Sequence, residues 1–363
     1  MITICHVTSV HRAFDGRIFK KECKSLSARY DVYLVAPNVV NQDVEGVKVV
    51  GVSLPKGRIK RMLKLNRVYK TADSIDAEVY HFHDPELIPI ARRFKRKGKR
   101  VIFDSHEDIP SDILEKKYIP KPLRRLVSIL YGNYERRAFK RFDALITVTP
   151  TIVERLKKYN SKTFQVTNYP IYKDILVSRE KENYVCFTGA VSSLWQIDTL
   201  INSLDGLETK LVLAGPFSDS YREELSHLPS WDKVEYKGFV DAAEVERIQK
   251  NAIAGMAVLK YGKLFGDKMG TLGNTKLFEY MMNGTPVIAT DFVLWKEIFD
   301  SYHCGLCVNP YDCRGIAAAI DYLRSNPNEA IEMGNNGKMA VRERYNWAQQ
   351  EKILFAVYET VLN

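Results

Sequence analysis

The sequence is short of several things, and each shortage removes a class of protein. No apolar run reaches the roughly 20 residues that cross a bilayer, so no transmembrane helix is expected. Met1-Ile2-Thr3-Ile4-Cys5 reads as the start of a strand rather than a charged region leading into a secretory leader, so no leader is expected. Cysteine is scarce, with six residues scattered at 5, 23, 186, 304, 307 and 313. Cys304-Gly-Leu-Cys307 has the spacing of half a zinc site but lacks a second pair of ligands nearby. Buried free thiols in a reducing cytoplasm are the expectation. There is no internal repeat and no low-complexity tract, which excludes solenoids and disordered linkers.

What is present is an ordinary globular composition, 45% apolar over 363 residues, enough for about two domains. The net charge of +10 is unevenly shared. Residues 1–170 hold 34 Lys and Arg against 18 Asp and Glu, a net of +16, and the remainder is −6. A basic first half suggests that one domain meets an anionic surface. The basic stretches are Arg58–Lys70, Arg92–Arg100 and Lys116–Arg141. In the first, Ile59, Met62, Leu63 and Tyr69 fall on one side of a single helix.

Strands and helices alternate along the chain. Ile2–Val7, Val32–Ala36, Val47–Ser53, Val79–Phe82, Val101–Asp104 and Ala144–Val148 read as strands, and Arg17–Arg29 and Leu123–Arg141 as helices. The pattern pauses around 168–183 and restarts with strands at Tyr184–Thr188, Lys210–Ala214, Val234–Tyr236 and Ala254–Leu259. Such alternation predicts parallel, doubly wound sheets. The expected division is 1–172, 173–345 and a terminal helix, 346–363, packing back on the first domain. The polar loops His11–Gly16, His83–Glu86 and Ser105–Asp108 all follow strands, so they gather at a carboxyl edge, where such sheets bind ligands.

The stretch 270–291, GTLGNTKLFEYMMNGTPVIATD, is the most informative. Gly270, Gly273 and Asn274 form a loop that brings bare backbone near a ligand. Thr275 is placed as the N-cap of a helix over Lys276–Met282, and Val287-Ile288-Ala289 as a buried strand. A loop feeding a helix N-terminus is an anion site, to which Lys276 adds a charge. Glu279, one turn on, can accept hydrogen bonds from a sugar diol. Together they would hold a nucleotide; an ordinary loop–helix–strand unit is the plain alternative.

These residues resemble the retaining glycosyltransferases of family 4, also called group 1, of GT-B type, in the branch that makes bacterial polysaccharides. The likeness rests on His11-Arg-Ala-Phe-Asp15-Gly-Arg17, Tyr80-His-Phe-His83-Asp84, Phe103-Asp-Ser-His106-Glu107, Val212-Leu-Ala-Gly215 and Tyr236-Lys-Gly238-Phe239. Above all it rests on Asn274-Thr-Lys276-Leu-Phe-Glu279 followed by Gly284-Thr-Pro286-Val-Ile-Ala. It implies two Rossmann-like domains facing a cleft. Glu279 matches the second Glu of the family's Glu-x7-Glu motif, which grips the ribose. The backbone at Phe239 matches the base-reading loop, Asn274, Thr275, Lys276 and Leu277 the helix start under the diphosphate, and Gly189 the turn beside it. His106 matches the histidine near the reacting sugar carbon. Asp15, Gly16, Arg17 and His83 are candidate acceptor or loop contacts. Three features depart from the family. Thr271 stands where the first Glu belongs, the first loop lacks paired glycines, and Ala190–Trp195, AVSSLW, lacks the family's Arg and Lys. Lys276 becomes the local cation that replaces them.

The activity implied is transfer of a sugar, with retention, from a nucleoside diphosphate to an acceptor hydroxyl in surface polysaccharide synthesis, the acceptor being a glycan or a lipid-linked glycan. Charge growing on the departing phosphate needs cations and N–H dipoles more than a strong base, so no cofactor and no metal are expected. His81, His83 and Asp84 form at most a weak chelating pattern. The expected place is the cytoplasm or the inner face of the membrane, with Arg58–Lys70 on anionic lipid. A GT-B nucleotide-sugar 2-epimerase is the alternative; it would not need a basic acceptor surface. Nucleic-acid binding is disfavoured by the absence of a reader motif.

Overall fold

A computed structural model describes residues 1–116, 118–178 and 180–363, with Leu264 described by its backbone only. Lys117 of the third basic stretch lies outside the described residues. The chain forms two compact units, Met1–Asn168 with Trp347–Asn363, and Tyr169–Asn346. Among the described residues no helix is long and apolar enough to cross a membrane.

The first unit contains β1 (Thr3–Val7), β2 (Asp31–Pro37), β3 (Gln42–Val44), β4 (Val47–Val52), β5 (Val79–Phe82), β6 (Arg100–Ser105), β7 (Ala144–Thr147) and β8 (Thr163–Gln165). They order as β3-β4-β2-β1-β5-β6-β7-β8, with only β3 antiparallel to its neighbour. The inner strands are buried on both faces, which explains their near-continuous apolar runs. Register sets His6 beside His81, and His81 beside Ile102. Strand alternation then puts Ile4, His6, Val79, His81, Ile102 and Asp104 on one face. The apolar part of that face packs under Leu354, Val357, Tyr358 and Val361 of the terminal helix, Trp347–Leu362. The opposite face carries Cys5, Val7, Tyr80, Phe82 and Phe103 against Val68, Ile88 and Phe139.

Two helices differ from expectation. The predicted helix over Arg17–Arg29 is instead a wide i→i+5 turn, Ile18–Cys23, running into Lys24–Leu26. Asp15 causes this. Its Oδ1 accepts the N–H groups of Arg17 and Ile18 at 2.7 and 3.0 Å, and its carbonyl accepts that of Lys20 at 3.1 Å. The widened turn leaves both Arg17 and Glu22 buried. The single helix predicted over Arg58–Lys70 is two, Arg58–Met62 and Leu65–Asp73, broken where Lys64 leaves helical geometry at ψ 7°. The second buries Val68, Tyr69 and Ala72, whereas the first buries nothing. Ile59 and Leu63 are each 77% exposed.

The second unit contains β9 (Glu182–Thr188), β10 (Lys210–Ala214), β11 (Val234–Tyr236), β12 (Ala252–Ala257), β13 (Val287–Thr290) and β14 (Gly305–Val308). All pair in parallel in the order β11-β10-β9-β12-β13-β14. The order reverses between β9 and β12, so the crevice for a ligand opens at their carboxyl ends. The helix Thr275–Met282 is amphipathic as its spacing predicts, with Leu277, Phe278 and Met281 fully buried. Its cap is Asn274 rather than Thr275: the Asn274 Oδ1 accepts the Lys276 N–H at 3.1 Å. Asn274 has the extended backbone a cap requires, and Thr275 is already helical.

Buried Asp84 fixes the loop after β1. Its Oδ2 accepts from the Thr8 hydroxyl at 2.8 Å and from the N–H groups of Ser9 and Val10 at 2.6 and 3.2 Å. Its Oδ1 lies 3.0 Å from Nδ1 of His11. Burial opposes the charges on both partners, but the contact prevails, raising the His11 pKa and lowering that of Asp84. A raised imidazole pKa stabilises the fold below its unfolded value of about 6.5, and the contribution is lost as pH climbs through the folded value. His11→Gln should therefore unfold at lower denaturant than wild type at about pH 6, and the gap should narrow by about pH 9. A gap that stays constant across that range would show that the pair contributes no charge interaction.

Candidate functional site

At the carboxyl edge of the second unit the backbone turns at Gly189 with φ +133°, held by its N–H on the Ala214 carbonyl at 2.7 Å. A Cβ there would overlap Cε and Nζ of Lys276, so glycine lets the ammonium lie directly on this turn. The same ammonium sits 4.8 Å from the Trp195 ring and 5.4 Å from that of Phe187. The stretch that lacks the family's Arg and Lys thus supplies the aromatic face that positions Lys276. Burial lowers the Lys276 pKa, and Glu279 partly opposes it. The Glu279 carboxylate is half-buried and makes no hydrogen bond or close ion pair among the described residues. The Leu277 side chain is core, so only its backbone could reach a ligand. Phe239 is 85% exposed, directly after Gly238 at φ +72°.

Thr271, in the place of the missing Glu, ties the loop down. Its hydroxyl accepts the Gly273 N–H at 3.0 Å and its carbonyl accepts the Trp295 indole N–H at 2.7 Å. One turn of helix therefore brings together backbone donors, a positioned cation and an unpaired carboxylate, a set suited to diphosphate and ribose.

In the first unit the polar ends of β1, β5 and β6 converge. His106 Nε2 lies 2.9 Å from Asp104 Oδ2, and its ring is 5.3 Å from that of His11 and 5.7 Å from that of His83. Arg17 is buried. Its Nε and Nη2 donate to Asp104 Oδ2 at 3.0 and 2.8 Å, its Nη1 donates to the Val166 carbonyl at 2.8 Å, and Glu22 lies 3.0 Å from Nε. Burial alone would raise the Asp104 pKa; the charge of Arg17 and the bond from His106 hold it well below the usual carboxylate range. Because that carboxylate only accepts, Nε2 of His106 carries the proton in this contact. His83 is buried and its pKa falls to about 4, chiefly through desolvation. Arg17 and His83 accordingly support His106 from behind. Asp15 is consumed by the turn it caps, and Gly16 is exposed. Asp84 is held by the loop after β1, so His81, His83 and Asp84 do not form one chelating group.

Sequence reasoning missed Asp104, Glu22 and His6 as members of this cluster. The available signal was strand parity, since Asp104 and His106 share one face of β6 and its extension. It also missed a hollow of about 210 Å³ in the first unit lined by Glu86, Glu107, Asp112, Tyr131 and Arg61. There Arg61 grips Glu86 with two bonds of 2.5 and 2.9 Å, and burial with Glu107 lifts Asp112 to about 6. A larger groove of about 430 Å³ runs past Lys296, Phe299, His303 and Glu332, and none of the residues lining it belongs to the Gly189–Lys276 edge. All six cysteines are free, and among the described residues neither Cys304 nor Cys307 joins a cluster of three or more metal-binding side chains.

A family model described as "Glycosyltransferase Family 4" matches residues 16–167, and one described as "Glycosyl transferases group 1" matches residues 168–340. An uncharacterized glycosyltransferase of Methanocaldococcus jannaschii is 26% identical over 190 residues, 51% of this chain and 46% of that protein. The match thus spans less than half the length of that relative. Among solved structures, sucrose-phosphate synthase from Thermosynechococcus elongatus is similar with a TM-score of 0.77 at 14% identity, covering 100% of this chain and 99% of that one. A glycosyltransferase from Rickettsia africae gives 0.72 at 12% identity, covering 100% and 99%. Anabaena HepE in complex with UDP gives 0.69 at 12%, covering 99% and 100%. Such likenesses show the GT-B fold, and with the two family models abutting along 16–340 they lead to one statement: the chain belongs to the group 1, family 4, glycosyl transferases.

Proposed function

We propose that the protein transfers a hexosyl or similar sugar from a nucleoside diphosphate to an acceptor hydroxyl, with retention, in the synthesis of a surface polysaccharide. The observation that carries this reading is Lys276 lying on Gly189 beside a capped helix N-terminus, with the free carboxylate of Glu279 one turn on. The second unit would hold the donor and the first the acceptor. The HepE structures with UDP and with UDP-glucose support a nucleotide sugar as donor. Lys276 and the helix dipole would stabilise charge on the departing diphosphate without a catalytic metal. His106 would contact the reacting sugar or the acceptor, its orientation set by Asp104.

Calorimetry with UDP, GDP and ADP tests the donor half. Glu279→Ala should weaken nucleotide binding by about 1.5–3 kcal/mol, since it removes a charged acceptor. His106→Ala should leave that affinity nearly unchanged while lowering turnover by about 10²-fold or more. Unchanged nucleotide binding in Glu279→Ala would remove Glu279 from the donor site.

We also propose that the first unit rests on an anionic membrane, where a lipid-linked acceptor would be found. Exposed Ile59, Met62 and Leu63 support this, as do exposed Leu123, Leu126, Ile129 and Leu130 on the helix Lys121–Phe139, which carries Arg124 and Arg125. Tyr131 of that helix and Arg58 line the same hollow, so the two helices border it together. Apolar side chains among Lys and Arg suit an interfacial helix, each basic residue contributing about 1 kcal/mol near anionic lipid. In vesicle flotation the protein should rise with anionic vesicles, return to solution with added salt, and bind less with Ile59→Ser and Leu63→Ser combined. A wild type that stays in solution at low salt would point to a soluble acceptor.

A further inference from the structure

Three histidines and a glutamate meet beneath the site; His83 backs His106, but His6, Glu22 and His81 have no use in sugar transfer. His6, Glu22, His81 and His83 are all fully buried, and one ligand atom from each lies within 4.8 Å of the others. Nδ1 of His6 and Nε2 of His83 are 2.9 Å apart, and Nε2 of His83 is 3.9 Å from a Glu22 oxygen. Nε2 of His81 and both Glu22 oxygens are buried with no hydrogen-bond partner. Arg17 approaches Glu22 at 3.0 Å without the geometry of a bond.

The backs of the imidazoles are arranged differently from their fronts. Nε2 of His6 and Nδ1 of His81 lie 3.1 and 2.8 Å from the Tyr358 hydroxyl. Nδ1 of His83 faces Asp104 Oδ2 at 3.7 Å. Each ring therefore turns one nitrogen toward an oxygen acceptor and the other toward Glu22 and its neighbours. A phenol oxygen can accept from both His6 and His81, and a carboxylate can accept from His83. With the back nitrogens protonated in this way, the front nitrogens of all three rings are lone pairs beside a carboxylate; with Tyr358 donating to His6 Nε2 instead, His6 Nδ1 donates to His83 Nε2 at 2.9 Å. In either tautomer of His6, Nε2 of His81 and both Glu22 oxygens stay buried without a hydrogen-bond partner, a need that a cation among them would meet.

We propose that His6, Glu22, His81 and His83 bind a divalent transition-metal ion, zinc being the best match. Three imidazoles and one carboxylate suit zinc, and four protein ligands with full burial describe a closed structural site rather than a catalytic one. Hydrogen bonds from the outer ring nitrogens to Tyr358 and Asp104 would fix the tautomers, as in metal-bound histidine generally. Bonds near 2.0–2.1 Å put tetrahedral ligand atoms ~3.3 Å apart, so His6 and His83 would part slightly and the wider pairs close in. The ion would tie β1, β5 and the 18–23 turn together, with the terminal helix in its outer shell through Tyr358. It would act on sugar transfer only through the Asp104 that orients His106. The competing occupant is a single proton on Glu22, whose pKa burial raises well above the usual carboxylate range.

Elemental analysis and cobalt titration separate the two. Full-length protein made without a histidine tag should carry about one zinc per chain after gel filtration. The chelator-stripped protein should melt lower, recover with zinc, release protons on zinc uptake, and give the ligand-field bands of tetrahedral Co2+. His81→Gln and Glu22→Gln should lose most of the metal, and the surface variant His227→Gln should keep it. Metal-free wild type that takes up no Co2+ after stripping would overturn the proposal, whatever the variants do. Metal retained in both His81→Gln and Glu22→Gln would overturn its location. Neither result bears on nucleotide binding by the second unit.

Discussion

Parallel pairing is the constraint on which the rest depends. It sends the carboxyl end of each parallel strand to one edge and forces each return through a crossover, so functional loops accumulate there. In the second unit this places the Gly189 turn, the loop after β10 and the helix that begins at Thr275 around one switch point. In the first unit it sets the ends of β1, β5 and β6 side by side. Strand alternation then turns His6, His81 and Asp104 to a single face.

That convergence has an energetic consequence. Arg17, Glu22, Asp104 and three imidazoles are buried together, and moving such groups out of water costs several kcal/mol per charge before their contacts offset it. A cluster of this kind is poor evidence for stability, since apolar residues would pack there as well. It is better explained by position. The two bonds from Arg17 hold Asp104 ionised, and Asp104 holds the tautomer and orientation of His106, the half-exposed member. The second unit uses the opposite device. Lys276 is oriented by aromatic faces and a bare glycine, and among the described residues it has no hydrogen-bonded anion.

Much of this was legible in the chain because it follows from local rules. Val79–Phe82 read as a strand and Val287–Ala289 as a buried one from composition alone, and Lys276–Met282 as a helix from spacing. What was not legible depended on contacts distant in sequence. Asp15 and Thr275 show the limit within a single turn: Asn274 outcompetes Thr275 for the cap, and Asp15 widens a helix that periodicity alone makes regular. Arg17 was a candidate acceptor or loop contact from its place in the first loop; the hydrogen-bond partners that take it instead, Asp104 and Val166, are 87 and 149 residues away. The role of Trp195 was hidden for the same reason, since only the fold lays Lys276 across its ring.

The central claim is that a nucleoside diphosphate sits on the Gly189–Lys276 edge of the second unit. Hydrogen–deuterium exchange tests it most directly, using whichever of UDP, GDP and ADP raises the melting temperature. Peptides covering 188–195, 214–217, 238–240 and 272–280 should exchange more slowly with the nucleotide bound, and those covering 296–307 and 329–336 should not change. Protection confined to the 296–336 groove, or no protection at 272–280, would contradict the account.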